Sequence, residues 1–136
     1  MLSKTAKYGL KTIMHLAKNS GNHRKYNAEE LAGSLKIPKH FLSRILYDLS
    51  KQKIISSQKG PGGGFYLSED QLNLNPYDAI RSLEGEDFLN VCIFEQQPCI
   101  HDKPCVFHNI YSEYKKNFIF EMSEKCLGEY AEELKT

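Results

Sequence analysis

The chain has 136 residues, 40% hydrophobic and 26% charged, with a formal net charge of +1. That balance excludes disordered and collagen-like classes and leaves room for one or two small domains. Lys11, His15 and Lys18 interrupt any apolar run behind the charged start, so neither a signal peptide nor a membrane span is expected, and the expected compartment is the cytoplasm.

The small net charge hides a split. Residues 1–60 hold twelve Lys and Arg against three acids, a local charge of +9, which leaves −8 for residues 61–136. Such asymmetry suits a front half that meets a polyanion and a back half that does not, although a solvated basic face has the same signature.

In chain order, the segment Lys4 to Asn19 places Ala6, Leu10, Ile13, Met14 and Ala17 at helical spacing, and Ser20-Gly21-Asn22 ends it. Asn27 is a suitable N-cap for a short helix from Ala28 to Leu35, with Glu29 and Glu30 in the turn where the helix dipole favours acids. After the break Lys36-Ile37-Pro38, a third helix begins near Pro38 and runs to Lys51, burying Phe41, Leu42, Ile45, Leu46 and Leu49. Two short helices with a tight connection match a helix-turn-helix, and the second exposes Lys39, His40, Ser43 and Arg44 as candidate base readers. Arg44 suits a guanine in the major groove.

Residues Ile54 to Lys59, Gly60-Pro61-Gly62-Gly63-Gly64, and Phe65 to Ser68 read as strand, glycine-rich turn and strand. Behind a helix-turn-helix this is a wing, with Lys59, Gly62 and Gly63 placed to meet phosphates or the minor groove. A nucleotide-binding loop would need a helix directly after the glycines, and here a strand follows. Asn75-Pro76 then opens a short helix to Leu83, expected as a strut between wing and cysteine loop.

Cys92, Cys99 and Cys105 follow in the spacing C-x6-C-x5-C, with one further cysteine, Cys126. In a reducing compartment this density of thiols points to a soft metal site, and an iron-sulfur cluster, tetrahedral zinc and a metal-free thiol switch all fit the spacing. Pro98 and Pro104, each directly before a cysteine, stiffen the loop. If a helix starts near Pro104, His108 shares a face with Cys105, one turn on; His101 and Asp102 are competing donors. Ile110, Tyr114, Phe118 and Met122 then recur every four residues, with Phe107 and Tyr111 alongside, giving a helix of roughly twenty residues whose wide aromatic face suits a second copy. Cys126 falls on the same series, as a buried structural thiol.

The helix pair, the strand Ile54-Ile55-Ser56-Ser57, the wing Lys59-Gly60-Pro61-Gly62-Gly63-Gly64-Phe65 and the cysteine triplet together resemble the bacterial winged-helix regulators that include IscR and NsrR, the Rrf-type regulators, over nearly the whole chain. The resemblance implies a mainly α fold with a small β-hairpin. Residues 1–75 would form a winged helix-turn-helix DNA-binding domain, and residues 76–136 a cluster-binding sensor loop and a long dimerisation helix. It further implies a homodimeric repressor on double-stranded DNA, at a pseudo-palindromic operator, controlled by a [2Fe-2S] cluster that senses iron-sulfur status, redox state or nitric oxide. Cys92, Cys99 and Cys105 would be three ligands and His108 the fourth, with zinc as the alternative metal. IscR-like members have a histidine at that place, whereas NsrR-like members use an acid from the first helix of the partner, where this chain has Tyr8. The first cysteine interval is one residue longer than in IscR, and the positions matching Ser43 and Arg44 carry an acid and an amide there, so the operator sequence does not carry over. No paired carboxylates, nucleophile-base arrangement or cofactor loop stands out, so no enzyme activity is expected.

Overall fold

The computed structural model describes residues 2–20, 24–85, 88–94 and 104–134. Its elements run α1 (Lys4–Lys18), α2 (Ala28–Leu35), α3 (Lys39–Lys51), β1 (Ser56–Gln58), β2 (Gly64–Tyr66), α4 (Glu69–Leu72), α5 (Pro76–Glu84), α6 (His108–Glu124) and α7 (Leu127–Leu134). The architecture is mainly α with one two-stranded antiparallel hairpin among the described residues, as the sequence predicts.

Helix boundaries follow local chemistry. The Ser3 hydroxyl accepts the Ala6 N–H at the start of α1, satisfying one of the orphan donors of a helix N-terminus. A capping box opens α2: the Asn27 side chain accepts from Glu30 N–H, while the Glu30 carboxylate accepts from Asn27 N–H. Lys36 closes α2 in the left-handed conformation, φ 56°, which turns the chain sharply into α3. Pro38 precedes α3, where the missing N–H is not needed.

Apolar faces of the first three helices meet in one core. Ile13 and Leu16 of α1, Leu31 of α2, Leu42, Ile45, Leu46 and Leu49 of α3, and Ile55 before β1 are buried together. Each side chain of this size stabilises by about 2 kcal/mol when fully buried. The hairpin pairs Ser56 with Tyr66, Ser57 with Phe65 and Gln58 with Gly64. Tyr26 extends it by an isolated bridge, donating to Phe65 O at 3.0 Å and accepting from Phe65 N–H at 2.7 Å. Gly64 makes that approach possible: its φ is 142°, and a Cβ there would lie 2.8 Å from the Tyr26 carbonyl carbon and oxygen.

Behind the wing, Ser68 and Gln71 form a capping box that winds the single turn α4, an element the sequence reading left out. Asn75 caps α5 with Pro76 at its first position, close to the expected helix. Ties run from α5 to the N-terminal helices: Glu84 accepts from both the Ser3 N–H and hydroxyl, and Gln52, just past α3, donates to Ser82 O at 2.7 Å. Gly9 lets α1 and α5 pack closely, with Leu83 over the position a side chain would occupy.

The C-terminal part differs from expectation. The long helix ends at Glu124, and Lys125 takes an extended conformation, φ −120° and ψ 155°. Cys126 therefore lies off the apolar series of α6, in the break, partly exposed rather than buried. The chain turns back into α7, anchored by Leu127 N–H donating to Leu74 O at 2.8 Å. Leu127 and Ala131 join the same core as Ile13 and Leu31. By contrast α6 contributes no buried residue.

Candidate DNA interface and cysteine site

On α3 the residues expected to read bases, Lys39, His40, Ser43 and Arg44, are all exposed, while Leu42, Ile45, Leu46 and Leu49 point inward. The period of 3.6 residues puts the four polar side chains on one face. Lys39 is not a free cation: its ammonium lies 2.7 Å from the Glu29 carboxylate of α2. That hydrogen bond, with the charge of Lys39 behind it, holds the Glu29 carboxyl below the usual glutamate range. At the wing, Lys59 and Gly62 are exposed and Gly63 is half-buried. A Cβ on Gly63 would lie 2.8 Å from Gly60 O, so the turn admits no larger residue there without moving.

Three further residues stand beside this face. Tyr47, 65% exposed, lies on the outward side of α3. Arg24 and Lys25 cover the rings of Tyr26 and Tyr66 at 4.5 and 5.2 Å next to the hairpin, and Arg24 also pairs with the Glu30 carboxylate at 2.8 Å. Their positions between predicted elements gave no periodic signal. Tyr47 was legible from spacing, since it follows Ser43 and His40 at four and seven residues.

The cysteine site is built from two segments. Cys92 and Cys105, both partly exposed and free of disulfides, bring their Sγ atoms to 3.5 Å. A disulfide would need about 2.0 Å, whereas two thiolates sharing a tetrahedral metal with bonds near 2.3 Å sit about 3.8 Å apart. Phe94 N–H points at Cys92 Sγ at 3.4 Å, a contact that favours the thiolate. Phe94 and Phe107, from the two segments, pack as a tilted ring pair with centroids 5.0 Å apart, both partly open to solvent.

Helix α6 begins at His108 rather than near Pro104, so Cys105 stands in the preceding turn and His108 N–H donates to Cys105 O at 3.1 Å. The sequence spacing places both on one face of a helix; in the structure the turn joins them. Cys99, and the competing donors His101 and Asp102, lie outside the described residues. Among the described residues no cluster of three or more His, Cys, Asp or Glu side chains assembles. The donor set in view is the Cys92 and Cys105 pair, and its spacing fits a shared soft metal centre.

A compact helix-turn-helix, an exposed cationic third helix and a glycine-rich hairpin behind it define a winged-helix DNA-binding protein. The chain matches the Rrf2 family, described as iron-dependent transcriptional regulators, over residues 2–133, and it belongs to that family. A helix-turn-helix-type transcriptional regulator of Aquifex aeolicus is 32% identical over 117 residues, covering 85% of this chain and 80% of the relative. The regulator NsrR of Bacillus licheniformis is 26% identical over 107 residues, covering 78% and 74%. In three dimensions the chain is similar to CymR of B. subtilis, the global cysteine regulator, with a TM-score of 0.77, 20% identity and coverage of 97% and 96%. IscR of T. potens gives 0.77, 19% identity and coverage of 98% and 88%. The chain is a transcriptional regulator with a DNA-binding fold, and not an enzyme. No helix among the described residues is long and apolar enough to cross a membrane.

Proposed function

We propose that this regulator is a homodimeric repressor whose grip on operator DNA is set by a [2Fe-2S] cluster held by Cys92, Cys99 and Cys105, with His108 as fourth ligand. The observation that carries this is the 3.5 Å separation of the Cys92 and Cys105 sulfurs in two segments thirteen residues apart. When bound, such a cluster supplies one-electron redox chemistry and sensitivity to oxidants, and an imidazole ligand raises its potential and makes that corner easier to lose. The protein's part is to present thiolates: Phe94 N–H toward Cys92, and the turn before α6 for Cys105 and His108.

On the DNA side, His40, Ser43 and Arg44 read base edges from α3, Lys39 and Lys59 add positive charge, and Gly62 and Gly63 bring the wing backbone close to phosphates. Two such units on one face of the duplex call for a dimer and a pseudo-palindromic operator. Support for a dimer comes from α6, which buries no residue: Ile110 and Phe120 are 71% and 63% exposed, and Tyr111, Tyr114 and Phe118 form a stacked ladder that meets Phe88 edge-on. An apolar seam of this kind is covered by a second copy.

Anaerobic purification with an absorption spectrum and iron and sulfide analysis tests the cluster. A coloured protein with two irons and two sulfides per chain is expected; a colourless, zinc-loaded protein would sink the reading. Replacing His108 by Ala with no change in spectrum or cluster lifetime would remove it as a ligand. A second reading is a metal-free switch in which an external oxidant takes two electrons and two protons as Cys92 and Cys105 form a disulfide. The same 3.5 Å pair favours it, and an oxidised form of Staphylococcus aureus CymR is among the similar folds, at 21% identity. Mass spectrometry of the metal-free protein before and after mild oxidation separates the two.

A further inference from the structure

Among the described large hydrophobic side chains that stand exposed, Tyr47 is alone before residue 86; the others fall at Ile93 and beyond, around the cysteine site and on α6 and α7. It does not belong to that apolar seam. Its exposed neighbours on α3 are Lys39, His40, Ser43, Arg44 and Lys51, a face of hydrogen-bond donors and positive charge. Its hydroxyl has no partner among the described residues. An exposed phenol on a face of donors and cations suits a partner that is anionic and accepts hydrogen bonds.

Helix geometry says where that partner is. At 1.5 Å per residue, Tyr47 lies about 12 Å along α3 from Lys39. With the first turns of α3 seated at base edges, a residue two turns on along the same outward face lies toward the end of the helix that leaves the groove, where sugar and phosphate are within reach. We infer that Tyr47 is a phosphate anchor: its hydroxyl donates to a backbone phosphate at the edge of the groove, while its ring lies over the adjoining sugar. Its role is to fix the register in which His40, Ser43 and Arg44 reach their bases. This rests on the DNA-binding role of α3, which wild-type binding to duplex DNA checks first.

The anchor is neutral, and that makes it testable. A cation that meets a phosphate releases counterions and steepens the dependence of affinity on salt; a phenol does not. An operator selected by the wild-type protein from random duplexes is used with the full chain. Tyr47→Phe removes only the hydroxyl from an exposed ring, so folding is unaffected. It is expected to weaken binding roughly ten-fold per subunit, the low end for a hydrogen bond to a charged group, and so about a hundred-fold for a dimer that seats both, on the operator and on an unrelated duplex alike. The slope of log affinity against log salt should stay that of wild type. Tyr47→Ala should lose more by removing the ring as well.

An unchanged affinity in Tyr47→Phe would overturn the proposal. So would a loss confined to the operator, which makes Tyr47 a base reader, or a changed sedimentation coefficient without DNA, which places it in a subunit contact. Failure of wild type to bind any duplex would strike the DNA-binding reading instead.

Discussion

Gly64→Ala probes the joint between the wing and the helix-turn-helix. At Gly64 the backbone has φ 142°, and a Cβ would stand 2.8 Å from Tyr26 carbonyl carbon and oxygen and 2.9 Å from its nitrogen. None of those atoms is the end of a flexible side chain, so the chain itself must move. Holding a non-glycine residue in such a region costs about 1–3 kcal/mol. Moving Tyr26 away breaks the two hydrogen bonds it makes with Phe65, each worth about 1 kcal/mol. Together these give a loss of about 3–5 kcal/mol and a fall in Tm of roughly 10 °C or more for a domain of this size. Urea and thermal unfolding at matched protein concentration measure it, since a dimer's apparent stability depends on concentration. Gly33→Ala is the contrasting variant: nothing lies within 4 Å of a Cβ there, and the position is helical. It should stabilise by about 0.5–1 kcal/mol. A Gly64→Ala loss below about 0.5 kcal/mol would refute the steric argument.

Leu127→Ala should cost about 2–5 kcal/mol in urea unfolding, because Leu127 is 0% exposed in a core shared with α1 and α2; a change confined to fraying of α7 would contradict that packing. Glu29 titrates below the usual glutamate value of 4.5 because Lys39 donates to it and carries charge, so the pair's contribution is present above 4.5 and lost as pH falls through the lower folded value. An NMR titration of Glu29 in wild type and Lys39→Gln should show the carboxyl moving up in the variant; no movement would remove the pair. Ile110→Glu with Phe120→Glu should give a monomer by sedimentation and weaken operator binding, whereas an unchanged dimer would place the seam elsewhere.

Much of the N-terminal half was legible because its signals are local. Asn27 caps α2, Pro38 marks the start of α3, and the apolar residues of α3 recur at helical spacing, so boundaries and the buried face agree with the structure except at Phe41, which is half-buried. The wing was read from its glycines, although the ladder is confined to Ser56–Gln58 and Gly64–Tyr66 because the turn takes up more chain. The C-terminal half was harder. Ile110, Tyr114, Phe118 and Met122 continue in register to Cys126, and nothing in that series announces the extended Lys125. What breaks it is tertiary: Leu127 N–H finds Leu74 O, and Leu127 and Ala131 of α7 find the core formed by α1, α2 and α3. At the cysteine site the residue types were legible and the geometry was not. Helix α6 begins four residues after Pro104, so Cys105 reaches Cys92 from a turn. The ion pair of Lys39 with Glu29 spans two helices and has no periodic trace.

Operator affinity of the protein with and without the proposed cluster tests the central claim most directly. Protein loaded with iron and sulfide under anaerobic conditions, the same protein after chelation, and Cys105→Ala would be titrated against one duplex at fixed salt. A cluster that governs binding predicts a difference between loaded and stripped protein of roughly 5–150-fold, with Cys105→Ala behaving as stripped protein under both treatments. Equal affinity in all three would show that the cysteine site does not control the DNA-binding domain.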